Sequence, residues 1–183
     1  MTKEIDKRVA NAWKRYWSLK EVMKNEELAM RVKSKLFNSC ILPILTYGCQ
    51  TWALTNAHLN KLKVCQRSME RSMVGIKRKD REKNENVRKI TKVEDVTTKI
   101  RQLKWRWTGH MMRGREKWNK TVTMWYPRDM KRKRGRQFRR WEDEIIQIAG
   151  RTWSRLARDR EKWKGLEEAF ARRHTDESNA VEK

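Results

Sequence analysis

A chain of 183 residues broken by only two prolines and seven glycines has few places to turn, so helices must bury most of its apolar side chains. The spacing of those side chains agrees. Ile5, Val9, Ala12 and Tyr16 step at intervals of three and four, and Trp13 and Trp17 widen that stripe. Residues 26–40 predict a second helix, with Val32 and Leu36 four apart. Pro43 is expected to stop it, because proline lacks an amide donor and restricts the residue before it. The run ILPILTYGCQTW, residues 41–52, is the most apolar and is expected to be buried and partly irregular. Thr55 or Asn56 can cap the next helix, whose stripe of Leu59, Leu62, Cys65, Met69 and Met73 ends at Gly75.

Residues 76–89 are polar and rich in charge, which reads as a linker or domain boundary. Helical spacing then resumes with Val96, Ile100, Leu103, Trp107 and Met111. At ~100° per residue these five fall in one narrow stripe, which makes Trp107 a core residue. Trp105 falls on the opposite side with Arg101 and Met112 beside it. It either packs beneath another segment, such as residues 118–126, or stands exposed between Arg101 and Arg106 as a platform on which a base stacks.

The run KRKRGRQFRR, residues 131–140, carries seven lysines and arginines in ten positions. Glu142, Asp143 and Glu144 then suit the positive end of a helix that leaves at Gly150 and buries Trp141, Ile145 and Ile148. Thr152 can cap a last helix carrying Trp153, Leu156, Trp163, Leu166 and Phe170. The residues from His174 onward are polar and expected to fray.

Lysine and arginine number 47 against 23 acids, a net charge of +24. So large a surplus repels itself until a polyanion neutralises it, which points to RNA or DNA as the partner. Ten tryptophans argue against simple disorder. No apolar run approaches the ~20 residues that cross a bilayer and no signal peptide opens the chain, so no membrane is expected. The protein reads as soluble and intracellular, nuclear or cytoplasmic.

Sites of chemistry are not visible. Cys40, Cys49, His58 and Cys65 lie too far apart for a zinc knuckle or finger, and an odd number of scattered cysteines does not suggest a disulfide framework. His110 has no cysteine near it, and Glu142–Glu144 are ordinary first-turn acids. There is no phosphate-binding glycine loop, no nucleophile elbow and no Asp-Asp pair of the kind that holds two metals. The expectation is therefore no enzyme, no metal, no cofactor and no small-molecule substrate. The basic run remains: Lys131, Arg132, Lys133, Arg134, Arg136, Arg139 and Arg140 are expected to contact phosphate. RGRQ at 134–137 approaches an Arg-Gly-Arg-Pro minor-groove hook, but Gln137 stands where proline would hold it extended.

Five runs resemble one family. They are KSKLFNSCILPILTYGCQTWALT (33–55), LKVCQRSMERSMVGI (62–76), KIRQLKWRWTGHMMR (99–113), KRGRQFRRWEDEI (133–145) and GRTWSRLARDREKWKGLEEAF (150–170). In order and spacing they resemble the C-terminal end of reverse transcriptases encoded by non-LTR retrotransposons, most closely the RTE-like endonuclease–reverse transcriptases. In that family an endonuclease and a palm with paired aspartates precede this region. The resemblance therefore implies a chain that begins near the thumb and inherits only nucleic-acid handling from RNA-templated DNA synthesis. Trp105, Trp107, Gly109 and His110 match motif positions, and Gln137 departs from the Gly-Arg-Pro the family often shows.

The combined expectation is an all-α fold. A thumb-like helical region spans 1–76, a charged linker 77–95, a tryptophan-rich basic module 96–173, and a disordered tail 174–183. The expected function is non-catalytic RNA or DNA binding through Arg101, Trp105, Arg106 and the run from Lys131 to Arg140. The alternative is a helical scaffold that packs on a partner protein, its charge incidental.

Overall fold

The structure is a computed structural model that describes residues 1–114, 117–124 and 140–172. Among these residues all regular structure is helical. The expected arm, apart from Arg140, and the expected tail lie outside them. The chain divides into two compact units: residues 1–48 with 54–99, and residues 49–53 with 100–183.

The first unit opens with α1 (Thr2–Ser18) and α2 (Lys20–Lys24). Ile5, Ala12 and Tyr16 of α1 are buried as their spacing requires, whereas Trp17 is exposed. Helix α3 (Met30–Leu36) runs into a π-helical turn, Phe37–Ile41, and then into α4 (Leu42–Leu45). Pro43 thus does not end the helical path as expected. It sits in the first turn of α4, where an amide would have no carbonyl to reach in any case. Nor does the Val32–Leu36 stripe face inward. Val32 is exposed, and Lys33, Ser34, Phe37 and Ile41 are buried instead.

Helix α5 (Asn56–Val74) follows its sequence signals at both ends. The Thr55 hydroxyl accepts the His58 amide while the His58 ring accepts the Thr55 amide, both at 3.4 Å, and Gly75 closes the helix at φ 80°. Leu59, Leu62, Cys65, Met69 and Met73 are all buried.

Residues 77–95 are not a linker. They contain α6 (Asn84–Thr91), which packs on α3 and α5 and buries Val87 and Thr91. Polar bonds, invisible to a search for apolar stripes, hold this segment. Gln66 donates to the Glu94 carbonyl at 2.9 Å and accepts the Val96 amide at 2.7 Å. The Thr91 hydroxyl donates to Glu70 at 3.0 Å, Ser34 donates to the Thr91 carbonyl, and Arg88 pairs with Asp95 at 3.0 Å. Asp95 then accepts the Thr97 and Thr98 amides and so caps the next helix, α7 (Val96–Arg113).

Helix α7 carries the chain from the first unit into the second at Lys99–Ile100. The second unit contains the rest of α7, α8 (Lys117–Met124), α9 (Asp143–Ala149), α10 (Trp153–Leu156) and α11 (Arg160–Gly165), followed by helical residues 167–172. The single last helix expected from Thr152 is therefore a series of short ones, and Thr152 makes no side-chain cap. Asp159 provides the cap instead, accepting the Lys162 amide at 3.1 Å at the start of α11. The core of this unit is aromatic: Trp105, Trp153, Trp163 and Phe170 with Met111, Met112, Ile145 and Ala157.

Candidate nucleic-acid interface

The residues expected to touch nucleic acid divide by where their polar ends go. Trp105 is fully buried, the reverse of a platform. Its ring stacks on Trp163 with centroids 3.8 Å apart and planes 6° from parallel, and Phe170 lies 4.7 Å away. The two indoles also exchange hydrogen bonds with each other's backbone. Trp105 Nε1 donates to the Trp163 carbonyl at 2.8 Å, and Trp163 Nε1 donates to the Trp105 carbonyl at 3.0 Å. Each N–H that burial strips of water is thereby satisfied.

This exchange explains Gly109. A Cβ there would lie 2.6 Å from Cδ1 and Nε1 of Trp163, too close for any side chain. Only glycine lets the Trp163 ring lie against α7 and reach the Trp105 carbonyl. Trp107, expected as the buried member of the pair, is only half-buried, meeting Trp141 edge-on at 5.6 Å. Trp105 does pack beneath another segment, formed by α11 and the residues after it.

The basic neighbours of Trp105 are also engaged. Arg101 is buried and donates to the Ala171 carbonyl at 3.3 Å. Arg106 is exposed but holds Glu167 through Nε and Nη2, at 2.8 and 2.7 Å. Lys104, which the sequence did not single out, is buried against Glu144 at 3.0 Å and the Trp52 carbonyl at 3.4 Å, with the Trp141 ring 5.0 Å from its ammonium. Trp141 donates in turn to the Gln50 carbonyl at 2.6 Å. Arg101, Lys104 and Trp105 thus line an internal polar seam, whereas Arg106 lies at the surface against Glu167. Of the basic run, Arg140 alone is described; its backbone amide donates to Asp143 at 2.7 Å. Lys131, Arg132, Lys133, Arg134, Arg136 and Arg139 lie outside the described residues.

The structure exposes other aromatics that sequence reasoning passed over. Trp17 is 48% exposed, Tyr47 67% and Trp118 79%. The Arg8 guanidinium lies 4.6 Å from the Tyr47 ring and the Lys24 ammonium 5.3 Å from the Trp17 ring. A signal for Trp17 existed: at ~100° per residue it lies roughly 120° round α1 from Ile5, outside a normal buried stripe.

Among the described residues no three histidines, cysteines or acids gather as a metal site would require. Burial pushes the Cys49 and Cys65 thiols up to about 12, so both stay protonated and neither is a nucleophile. A cleft of about 740 Å³ in the first unit is lined by Lys24, Lys33 and Lys77. It does not select an anion, because Glu26 and Glu27 line it too and Lys33 donates to the Met73 carbonyl, near the carbonyl end of α5, at 3.4 Å. No described helix is long and apolar enough to cross a membrane.

The chain is similar to a transposon-derived protein of Caenorhabditis elegans, 30% identical over 189 aligned positions that take in 96% of this chain. Its origin is transposon-related. The match spans 66% of the length of that relative. No protein-family profile and no solved structure matches the chain.

Proposed function

We propose that this protein binds RNA or DNA without catalysing a reaction, and that it derives from the C-terminal part of a retrotransposon reverse transcriptase. The net charge of +24 carries the reading. A polyanion offsets that self-repulsion, and counterions released from phosphates supply most of the affinity. The transposon-derived relative supports it, since mobile elements work on nucleic acid, and so does the resemblance of residues 99–113 and 133–145 to the reverse transcriptase family.

The test is titration of a duplex and of a single strand at three salt concentrations. If about six phosphates are neutralised, log K should fall with log salt on duplex at a slope near −5, from ~0.9 per contact. Binding indifferent to salt would overturn the reading. Replacing Arg132, Arg134, Arg136, Arg139 and Arg140 with glutamine should flatten that slope and lower affinity by orders of magnitude. Primer extension on an RNA template should yield no product.

One observation favours a second reading, a scaffold that docks on a partner protein. Trp118, Val122 and Met124 of α8 are all exposed apolar side chains. A Trp118→Ala variant with unchanged nucleic-acid affinity but a lost protein complex would support it.

A further inference from the structure

We propose that Trp17, backed by Trp13 at the end of α1, is a base-stacking platform for single-stranded nucleic acid, with Lys14, Lys20 and Lys24 as its phosphate contacts. The inference rests on the nucleic-acid reading above and gives it a surface that the sequence did not assign.

The two indoles stack with centroids 5.8 Å apart and planes 22° from parallel. Tyr16 sets them from the core side, edge-on to both at 5.5 and 5.4 Å, while its own ring is fully buried. Trp17 therefore stands on a rigid base in an orientation fixed by its neighbours, yet keeps 48% of its surface in water. Neither indole N–H has a protein partner among the described residues. A Trp held this way gains little for the fold by being so large. A flat π-face of that size suits a base of any sequence.

The surrounding charge fits the same ligand. Lys14 lies one turn before Trp17 on α1, Lys20 follows at the start of α2, and the Lys24 ammonium already lies 5.3 Å from the Trp17 ring. Against these three, residues 13–24 hold one acid, Glu21. None of the three lysines is paired with a carboxylate among the described residues. Lys24 shows that the ring is open to a cation. A base arriving on the ring would displace the ammonium, which then meets the phosphate of the same nucleotide.

The experiment compares the full chain with Trp17→Leu, Trp17→Phe and Lys24→Gln, measuring affinity for labelled oligo-dT and for a duplex of mixed sequence. Leucine keeps apolar bulk and removes the ring, so Trp17→Leu should weaken single-strand binding roughly 5- to 150-fold, the worth of one stacked base, and leave duplex affinity unchanged. Trp17→Phe should retain most of the affinity. Lys24→Gln should lower the single-strand salt slope by roughly 0.7, one phosphate contact. The proposal is overturned if Trp17→Leu binds oligo-dT as the parent does, or if it loses duplex and single strand equally. A parent chain that binds neither nucleic acid overturns the functional reading itself.

Discussion

Two pairs of stacked tryptophans sit beside lysines and arginines in this protein, and they have opposite fates. Trp105 and Trp163 close to 3.8 Å, trade N–H bonds with each other's carbonyls and vanish from the surface. Trp13 and Trp17 stack more loosely, trade nothing, and leave one ring half in water. The cations follow the rings. Around Trp105, Arg101 and Lys104 are buried on backbone carbonyls or a carboxylate and Arg106 is matched by Glu167. Around Trp17, Lys14, Lys20 and Lys24 have no such partner among the described residues. An aromatic among basic residues is thus a binding surface only when its N–H and the neighbouring charges are not already satisfied within the fold.

The difference should show most strongly in stability. Trp105→Ala should cost roughly 3–5 kcal/mol, the price of emptying a buried aromatic site, and more if Trp163 is left with an unpaired N–H. Trp17→Ala should stay within about 0.5 kcal/mol of the parent, as exposed positions do. Urea unfolding of the two variants checks this, and equal losses would erase the distinction. Gly109→Ala should come next, at roughly 1–3 kcal/mol, because the new Cβ forces the Trp163 ring away from the Trp105 carbonyl. A neutral Gly109→Ala would mean that the ring is free to give way.

The fold was legible where burial is apolar and periodic. The stripe of α5, its Thr55 cap and its Gly75 exit could all be read off the sequence, because each follows from one local rule. The errors share a cause. Arg101, Lys104, Trp105 and Thr108 follow helical spacing as closely as Val96 and Ile100 do, and all are buried, but Arg101 and Trp105 read as candidate contacts to nucleic acid and the other two gave no signal. What buries Arg101 and Trp105 is a set of carbonyls and rings more than 40 residues away in the chain, which no local window contains. The same holds for residues 77–95, which dock through Gln66, Ser34 and Glu70 as well as through the short apolar contacts of Val87 and Val93. Of the proposed sites, the basic run was plain from composition, whereas Trp17 was hidden by its place at the edge of a stripe that seemed to need it.

Buried carboxyls repeat the contrast and carry a smaller effect. Glu144 answers the Lys104 ammonium, but Glu70 keeps one buried oxygen without a partner. Burial raises the Glu70 carboxyl above its ordinary range, outweighing the opposing Thr91 hydroxyl and the nearby Arg88. A folded-state pKa raised above the unfolded one gives stability that is full at pH below the unfolded value and is lost as pH rises through the folded value. Glu70→Gln should therefore stabilise the first unit by up to about 1 kcal/mol at neutral pH and give no gain in acid. Melting temperatures of both forms near pH 4 and near pH 7 check the sign. A gain that is the same at both would show that Glu70 is not the titrating group.

The smallest effect bears most directly on which cations are available. Arg106 and Glu167 form an exposed, two-point pair, with side chains 61% and 19% accessible, and such pairs contribute between nothing and about 1 kcal/mol. Glu167→Gln should barely move the melting temperature. It removes the Glu167 carboxylate that the Arg106 guanidinium contacts, and with it a negative charge that would repel an approaching phosphate. If nucleic acid reaches this side of the second unit, the variant should bind more tightly at low salt, and its duplex salt slope should steepen by roughly 0.9, one added contact. Lys24→Gln should move the single-strand slope the other way. Both changes remove a single charge of opposite sign from the same protein, so a mere response to net charge would shift duplex and single strand alike in each case. An unchanged duplex slope for Glu167→Gln would leave Arg106 a purely structural cation and confine binding to the surfaces around Trp17 and the run from Lys131 to Arg140.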